Sequence, residues 1–168
     1  MKEIFERRSI RKYTADPVSL EHEEKLLRAA MQAPSAGNEQ PWEFIVVRDP
    51  ETLKKMTEGH PYSTPLLGAP LGILVCGDVN KQKFNPYAYW VQDCTAAIQN
   101  LLLEAQHLGL GAVWMGLHPI KEREDVLIKL FELPEGIIPL GMIAVGHPAQ
   151  TVSPVDRYLP ERVHRGKW

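Results

Sequence analysis

With two cysteines in 168 residues, the chain cannot rest on a disulfide framework. Cys76 sits inside an apolar run and Cys94 on a predicted helical face, and no Cys-x-x-Cys pair occurs. Both read as core filler rather than as redox or metal-binding groups. The six histidines are scattered, with no His-x-x-x-His or His-Glu-x-x-His spacing to set two ligands on one helix face, so no bound metal is expected. Long apolar runs are missing too: Leu71–Cys76 and Ile137–Val145 fall far short of the ~20 residues that span a bilayer. No membrane association is expected. Met1–Lys12 alternates charged and apolar residues and lacks the apolar block of a signal peptide, which points to a cytoplasmic protein. No strand is followed by Gly-x-Gly-x-x-Gly and no Gly-x-x-x-x-Gly-Lys-[Ser/Thr] occurs, so a Rossmann dinucleotide turn and a P-loop are both unsupported. No repeat, low-complexity tract or linker divides the chain, and residues 1–168 read as a single domain.

The charge that is present is unevenly placed. Lys2, Arg7, Arg8, Arg11 and Lys12 outweigh Glu3 and Glu6 at one end; Arg157, Arg162, Arg165 and Lys167 outweigh Asp156 and Glu161 at the other, and the stretch between is acidic. Nucleic-acid binding calls for a basic face over the whole domain, so no nucleic-acid partner is expected. Two small basic ends suit one compact anion if folding joins them; otherwise they are solubilising charge on frayed termini.

Helices are predicted over Lys2–Arg7, from an N-cap at Ser19 to Ala33, over Glu51–Thr57 and over Ile120–Phe131. Strands are predicted at Phe44–Val47, Leu71–Cys76, Ala112–Met115 and Leu140–Val145. The longest periodic segment, Tyr89–Leu108, is apolar around most of its girth, with Val91, Ala96 and Leu103 flanking the main stripe. Such a helix is buried on several sides, by a second subunit or wholly within a monomer. Helices interleaved with strands imply an α/β or α+β sandwich.

Three segments can carry chemistry. Arg7-Arg8-Ser9-Ile10-Arg11 concentrates guanidinium groups, whose planar donors match phosphate oxygens, beside a hydroxyl; the same run also suits a solvated terminus. Ala33–Trp42 is a loop of small residues in which Asn38 and Gln40 offer amide donors and acceptors to a flat heterocycle; equally, Gly37 reads as a simple turn and Trp42 as core. Gly109–Gly116 rings an apolar strand with glycines, so Gly116 either leaves a backbone N–H open to a ligand or marks an ordinary strand edge. No Ser-His-Asp or Cys-His arrangement is assignable, which points to chemistry borne by a cofactor.

Taken in order, Arg7-Arg8-Ser9-x-Arg11, Ala33-Pro34-Ser35-Ala36-Gly37-Asn38-x-Gln40-Pro41-Trp42-x-Phe44, Ala97-x-Gln99-Asn100-Leu101-Leu102-Leu103, Gly109-Leu110-Gly111, Trp114-x-Gly116 and Gly146-His147-Pro148 closely resemble the FMN-dependent nitroreductase family. The resemblance covers residues 4 to about 164. It implies an α+β fold with a mixed, mainly antiparallel sheet flanked by helices, in an intertwined homodimer with FMN at the interface. A C-terminal tail, residues 150–168, would contribute to the dimer and the phosphate site. Carried over by position, Arg7, Arg8 and Ser9 would hold the phosphate and ribityl chain, Arg11 would reach the flavin N1 and C2-carbonyl edge, and Arg157 would close on the phosphate. Pro34, Ser35, Ala36 and Asn38 would come from the partner subunit, with Gln40 nearby. Trp114, Met115 and Gly116 would line the N5 side, backbone first. Relatives often carry a basic residue two positions before the C-terminal arginine, whereas Val155 stands here, which leaves Arg157 less support. The implied activity is hydride transfer from NADH or NADPH through FMN to a nitroaromatic, a quinone or an activated alkene by a ping-pong mechanism. Arg11 would stabilise charge on the reduced flavin. The alternative is a protein that stores or senses FMN without turnover.

Overall fold

A computed structural model describes residues 2–83 and 88–168 of the chain. Helix α1 (Lys2–Glu6) leads through an extended segment to α2 (Leu20–Met31), followed by β1 (Trp42–Val47), α3 (Pro50–Lys55), β2 (Leu71–Asp78) and the long α4 (Tyr89–His107). Strand β3 (Gly111–Gly116), α5 (Lys121–Phe131) and β4 (Ile137–Gly146) complete the body. Caps define the helix starts. The Ser19 hydroxyl accepts from the His22 amide at 3.1 Å ahead of α2, and the Asp49 carboxylate accepts from the Thr52 amide at 2.8 Å ahead of α3, each satisfying a first-turn N–H that has no partner within the helix.

The four strands run in the order β1-β2-β4-β3, each antiparallel to its neighbours. The mixed character is confined, among the described residues, to one parallel bridge between Ser9 and Ala112. Alternate side chains of β2 enter different cores. Leu71, Ile73 and Val75 pack with Cys94, Ile98 and Leu101 of α4 and Leu26 of α2. Leu74 and Cys76 pack on the other face with Leu53 and Met56, Leu66, and Leu127 of α5. Both central strands are therefore covered twice, which explains their nearly unbroken apolar runs. Burial pushes both thiols up to about 12, in keeping with Cys76 and Cys94 as core residues.

Most boundaries lie within two residues of the sequence expectation. The exception is β4, which starts three residues early because Pro139 interrupts the apparent strand. A register shift between Val75 and Cys76 places Pro139 opposite Cys76 and lets Ile137 pair with Asp78; a bulge is where a sheet tolerates a proline. On α4, Val91, Ala96 and Leu103 remain partly exposed on this single chain. Helix α1 buries none of its residues, and Phe5 is 77% exposed. Beyond Gln150 the chain runs as an arm that is exposed almost throughout, carrying Val155, Tyr158, Leu159, Val163 and Trp168 in the open.

Candidate functional site

The basic N-terminal run is held by its neighbours. Helix α1 ends at Glu6, one residue before the expected stop, so Arg7 and Arg8 lead directly into extended chain. The Ile10 amide donates to the Ala112 carbonyl at 3.0 Å. Its buried side chain lies where a Cβ on Gly111 would come within 2.6 Å, so Gly111 permits this close approach. The Tyr13 hydroxyl reaches the carbonyls of Ile10 at 2.6 Å and Ala144 at 3.1 Å. Burial in this position pushes the phenol well above its usual pKa.

This staple brings the two basic ends together. Arg7, Arg8, Ser9, Arg11, Gln150 and Arg157 line a cavity of about 240 Å³. Among the described residues, none of these four arginines pairs with a carboxylate. Burial, with Arg157 and Arg8 close by, disfavours the charge on Arg7 and lowers its pKa. Like charges held together without counter-charge make an anion site. The cradle adjoins a larger, less polar groove of about 500 Å³ in which Arg7, Arg8 and Arg157 recur beside Phe5, Val155 and Tyr158.

The loop expected to meet a ring lies elsewhere on the same chain. Its Ala36 amide donates to Asp93 Oδ1 on α4 at 3.0 Å, and the Ser35 hydroxyl accepts from the Gln40 amide at 3.0 Å. Gly37 has φ 56° and Trp42 is buried, as a plain turn requires. Asn38 and Gln40 are also left-handed, at 55° and 49°, which costs roughly 1–2 kcal/mol per residue. A turn needs one such residue; this loop has three. Asp93 is 6% exposed, and among the described residues its buried Oδ2 has no hydrogen-bond partner. Burial raises its pKa, the Ala36 bond opposes the rise, and Glu39 adds to it.

Strand β3 is an edge of the sheet. The Leu117 amide turns inward to the Leu140 carbonyl of β4, while the Ala112 carbonyl accepts from Ile10 on the outer side. Strand alternation therefore points the amides and carbonyls of Trp114 and Gly116 outward. Met115 is buried and Trp114 is 36% exposed. The Gly116 backbone is not left-handed, and a Cβ there would meet nothing within 4 Å. Among the described residues, neither turn geometry nor packing calls for glycine at 116.

The structure thus gathers Arg7, Arg8, Ser9, Arg11 and Arg157, sets Trp114, Met115 and Gly116 on a bare edge, and leaves Pro34, Ser35, Ala36, Asn38 and Gln40 on a separate loop. Sequence reasoning missed Gln150, which accepts from the Arg11 amide at 3.4 Å, and Asp93, which reads as a polar interruption of an apolar helix. It also missed the partners of the β3–α5 turn: His118 Nδ1 lies 2.8 Å from Glu124 Oε1, and His60 and Arg123 both reach Gly116. These contacts join residues distant in sequence or lie in a turn with no motif.

The family model of the nitroreductase family matches residues 4–60 and 57–147. A protein of Archaeoglobus fulgidus with the provisional name NADH dehydrogenase/NAD(P)H nitroreductase is 48% identical, over 100% of this chain and 98% of its own. A solved structure from Clostridium acetobutylicum, provisionally described as an NADH oxidase, is 47% identical with a TM-score of 0.95, over 99% of each chain. A solved Desulfovibrio desulfuricans structure, provisionally called a nitroreductase and in complex with FMN, is 34% identical with a TM-score of 0.85, over 99% of this chain and 96% of that one. The chain belongs to the nitroreductase family and has its fold.

Proposed function

We propose that this protein is an FMN-dependent oxidoreductase that draws on NADH or NADPH and reduces a small acceptor such as a nitroaromatic, a quinone or an activated alkene. The observation that carries the reading is the cradle of four guanidinium groups without a carboxylate partner among the described residues. Its charge and donor geometry fit a phosphate monoester, and a relative of the same fold is in complex with FMN. FMN, when bound, supplies reversible hydride acceptance at its N5.

Arg7, Arg8, Ser9 and Arg157 hold the phosphate end, and Arg11 presents a fixed positive charge to the flavin N1 and C2-carbonyl edge. A fixed charge in a partly dry site stabilises developing anionic character without reorganising at the moment of transfer. Trp114, Met115 and Gly116 offer the outer edge of β3 to the N5 side, and the missing side chain at Gly116 lets the ring approach the backbone. Pro34, Ser35, Ala36, Asn38 and Gln40 complete the site from a second subunit.

Exposure supports the homodimer. Partly exposed apolar positions on α4, the unburied α1 with Phe5, and the open arm with Val155, Tyr158 and Leu159 are surface that a second subunit would cover. Donor and acceptor use one opening in turn, the ping-pong order. The test is a steady-state assay of the purified yellow protein with NADH or NADPH and each acceptor class. Parallel double-reciprocal lines and rates well above those of free FMN support the reading. Rates no greater than free FMN would mean a protein that binds the cofactor without turning it over.

A further inference from the structure

At the end of β3 two side chains converge on one carbonyl. His60 Nε2 lies 2.9 Å from the Gly116 oxygen, and Arg123 Nη1 donates to the same oxygen at 3.1 Å. The imidazole is oriented from behind, because its Nδ1 accepts the Tyr62 amide at 3.1 Å. That bond assigns the Nδ1 lone pair, so in the neutral ring the proton sits on Nε2 and is donated to Gly116. The 3.4 Å approach of Arg123 Nη1 to His60 Nε2 is then a contact between two donors sharing an acceptor. His60 is only 5% exposed. Arg123 comes from the first turn of α5, whose next residue, Glu124, fixes His118. The helix that follows β3 and a segment 56 residues earlier thus close on a single peptide oxygen.

A carbonyl oxygen has two lone pairs, and here two donors occupy them. The Gly116 amide and carbonyl both point to the outer edge, so the pair of side chains masks the acceptor and leaves the donor. We propose that His60 and Arg123 are positioning residues that set the hydrogen-bonding polarity at this end of β3, leaving Gly116 donor-only toward a bound flavin. The inference rests on the reading of FMN laid against β3. Oxidised flavin has a lone pair at N5 and accepts a hydrogen bond there; reduced flavin carries an N5–H and donates one. A donor-only Gly116 beside N5 therefore favours the oxidised form and holds the reduction potential down, opposite in sign to the effect of the Arg11 charge.

Holoprotein variants separate the possibilities. His60→Phe keeps a ring but removes both nitrogens, uncovering one lone pair of Gly116. The ratio of oxidised to reduced FMN affinity should fall about 10-fold, the scale of one hydrogen bond. For a two-electron couple this is a potential raised by ~30 mV, read by equilibration against a redox dye. His60→Gln, with an amide donor and an acceptor, should return the potential to the wild-type value. In the wild-type protein, the ¹⁵N resonance of N5-labelled FMN should show an accepted hydrogen bond when oxidised and no donated bond to a carbonyl when reduced. A flavin-loaded His60→Phe variant with lower thermal stability and an unchanged potential would overturn the proposal. So would a donated N5–H bond in the reduced wild type, a measurement that needs no variant. Failure of the wild type to take up FMN would instead refute the function on which the proposal rests.

Discussion

Removing Arg7 or Arg157 gives opposite expectations for binding and for folding. Both line the cradle of about 240 Å³, and a charge-assisted hydrogen bond is worth roughly 1.5–3 kcal/mol. Each alanine variant should therefore lose about 10- to 150-fold in FMN affinity while keeping nearly all of its affinity for riboflavin, which has no phosphate. The missing basic residue at Val155 argues for the larger loss at Arg157. Burial reverses that order, because Arg7 is half-buried whereas Arg157 is exposed and exposed charge is screened more strongly. In the ligand-free protein the sign changes. Arg7 is charged at neutral pH in a place where burial, Arg157 and Arg8 all disfavour that charge, so Arg7→Ala should melt at the same temperature as the parent or higher. Fluorescence titration with both flavins at low and high salt, with thermal melts of the apoprotein, reads all of these quantities, and the FMN-specific loss should shrink as salt rises. Equal loss of both flavins, together with a lower melting temperature, would refute the reasoning and make the arginines supports of the fold.

Arg11→Ala should lower the two-electron potential of bound FMN more than it weakens FMN binding, and an unchanged potential in a dye-equilibration titration would rule out its assigned role. Leu103→Glu, on the partly exposed flank of α4, should release monomer and FMN together, at a cost on the order of the 1.5–3 kcal/mol of a buried apolar side chain; light scattering that finds a flavin-replete wild-type monomer would defeat the dimer. Asp93→Asn keeps an oxygen for the Ala36 amide and removes a charge whose pKa burial raises. A carboxyl group whose folded pKa lies above its unfolded value binds protons more tightly when folded, so it costs stability once pH exceeds its folded pKa. The variant should melt above the parent at pH 7 and lose that advantage as pH falls toward 4; a lower melting temperature at pH 7 would show that the carboxylate charge itself supports the loop.

The parts of the fold legible in the sequence are those dictated by local periodicity. The α4 stripe, the cap at Ser19 and the apolar strands follow from residue spacing and turn chemistry. Pro139 concealed the start of β4 because a bulge at Leu140, visible only in the pairing with β2, decides whether a proline fits. Among the site residues, the arginine run and the Gly37 loop stand out as local motifs. The meeting of the arginine run with Arg157 depends on Ile10 and Tyr13, which look like ordinary apolar and aromatic residues until β3 and β4 are in place. His60 carries no motif at all. Its role emerges only when the segment after α3 comes to lie beside Gly116.

The Tyr13 staple divides the cradle into two kinetic halves. Arg7 to Arg11 are tied to the sheet by the Ile10 amide and the phenol, so an arriving phosphate meets groups whose ordering entropy was lost on folding. Arg157 lies on an arm whose described hydrogen bonds beyond Gln150 are local, such as Tyr158 to Asp156 and Arg162 to Leu159. In the proposed site, closing that half would order chain at the moment of capture and would have to be undone before release. On the proposed reading, the tied half would govern how readily the anion is caught and the arm its residence time, so the rate of cofactor exchange would be set by a segment that makes few contacts within its own chain.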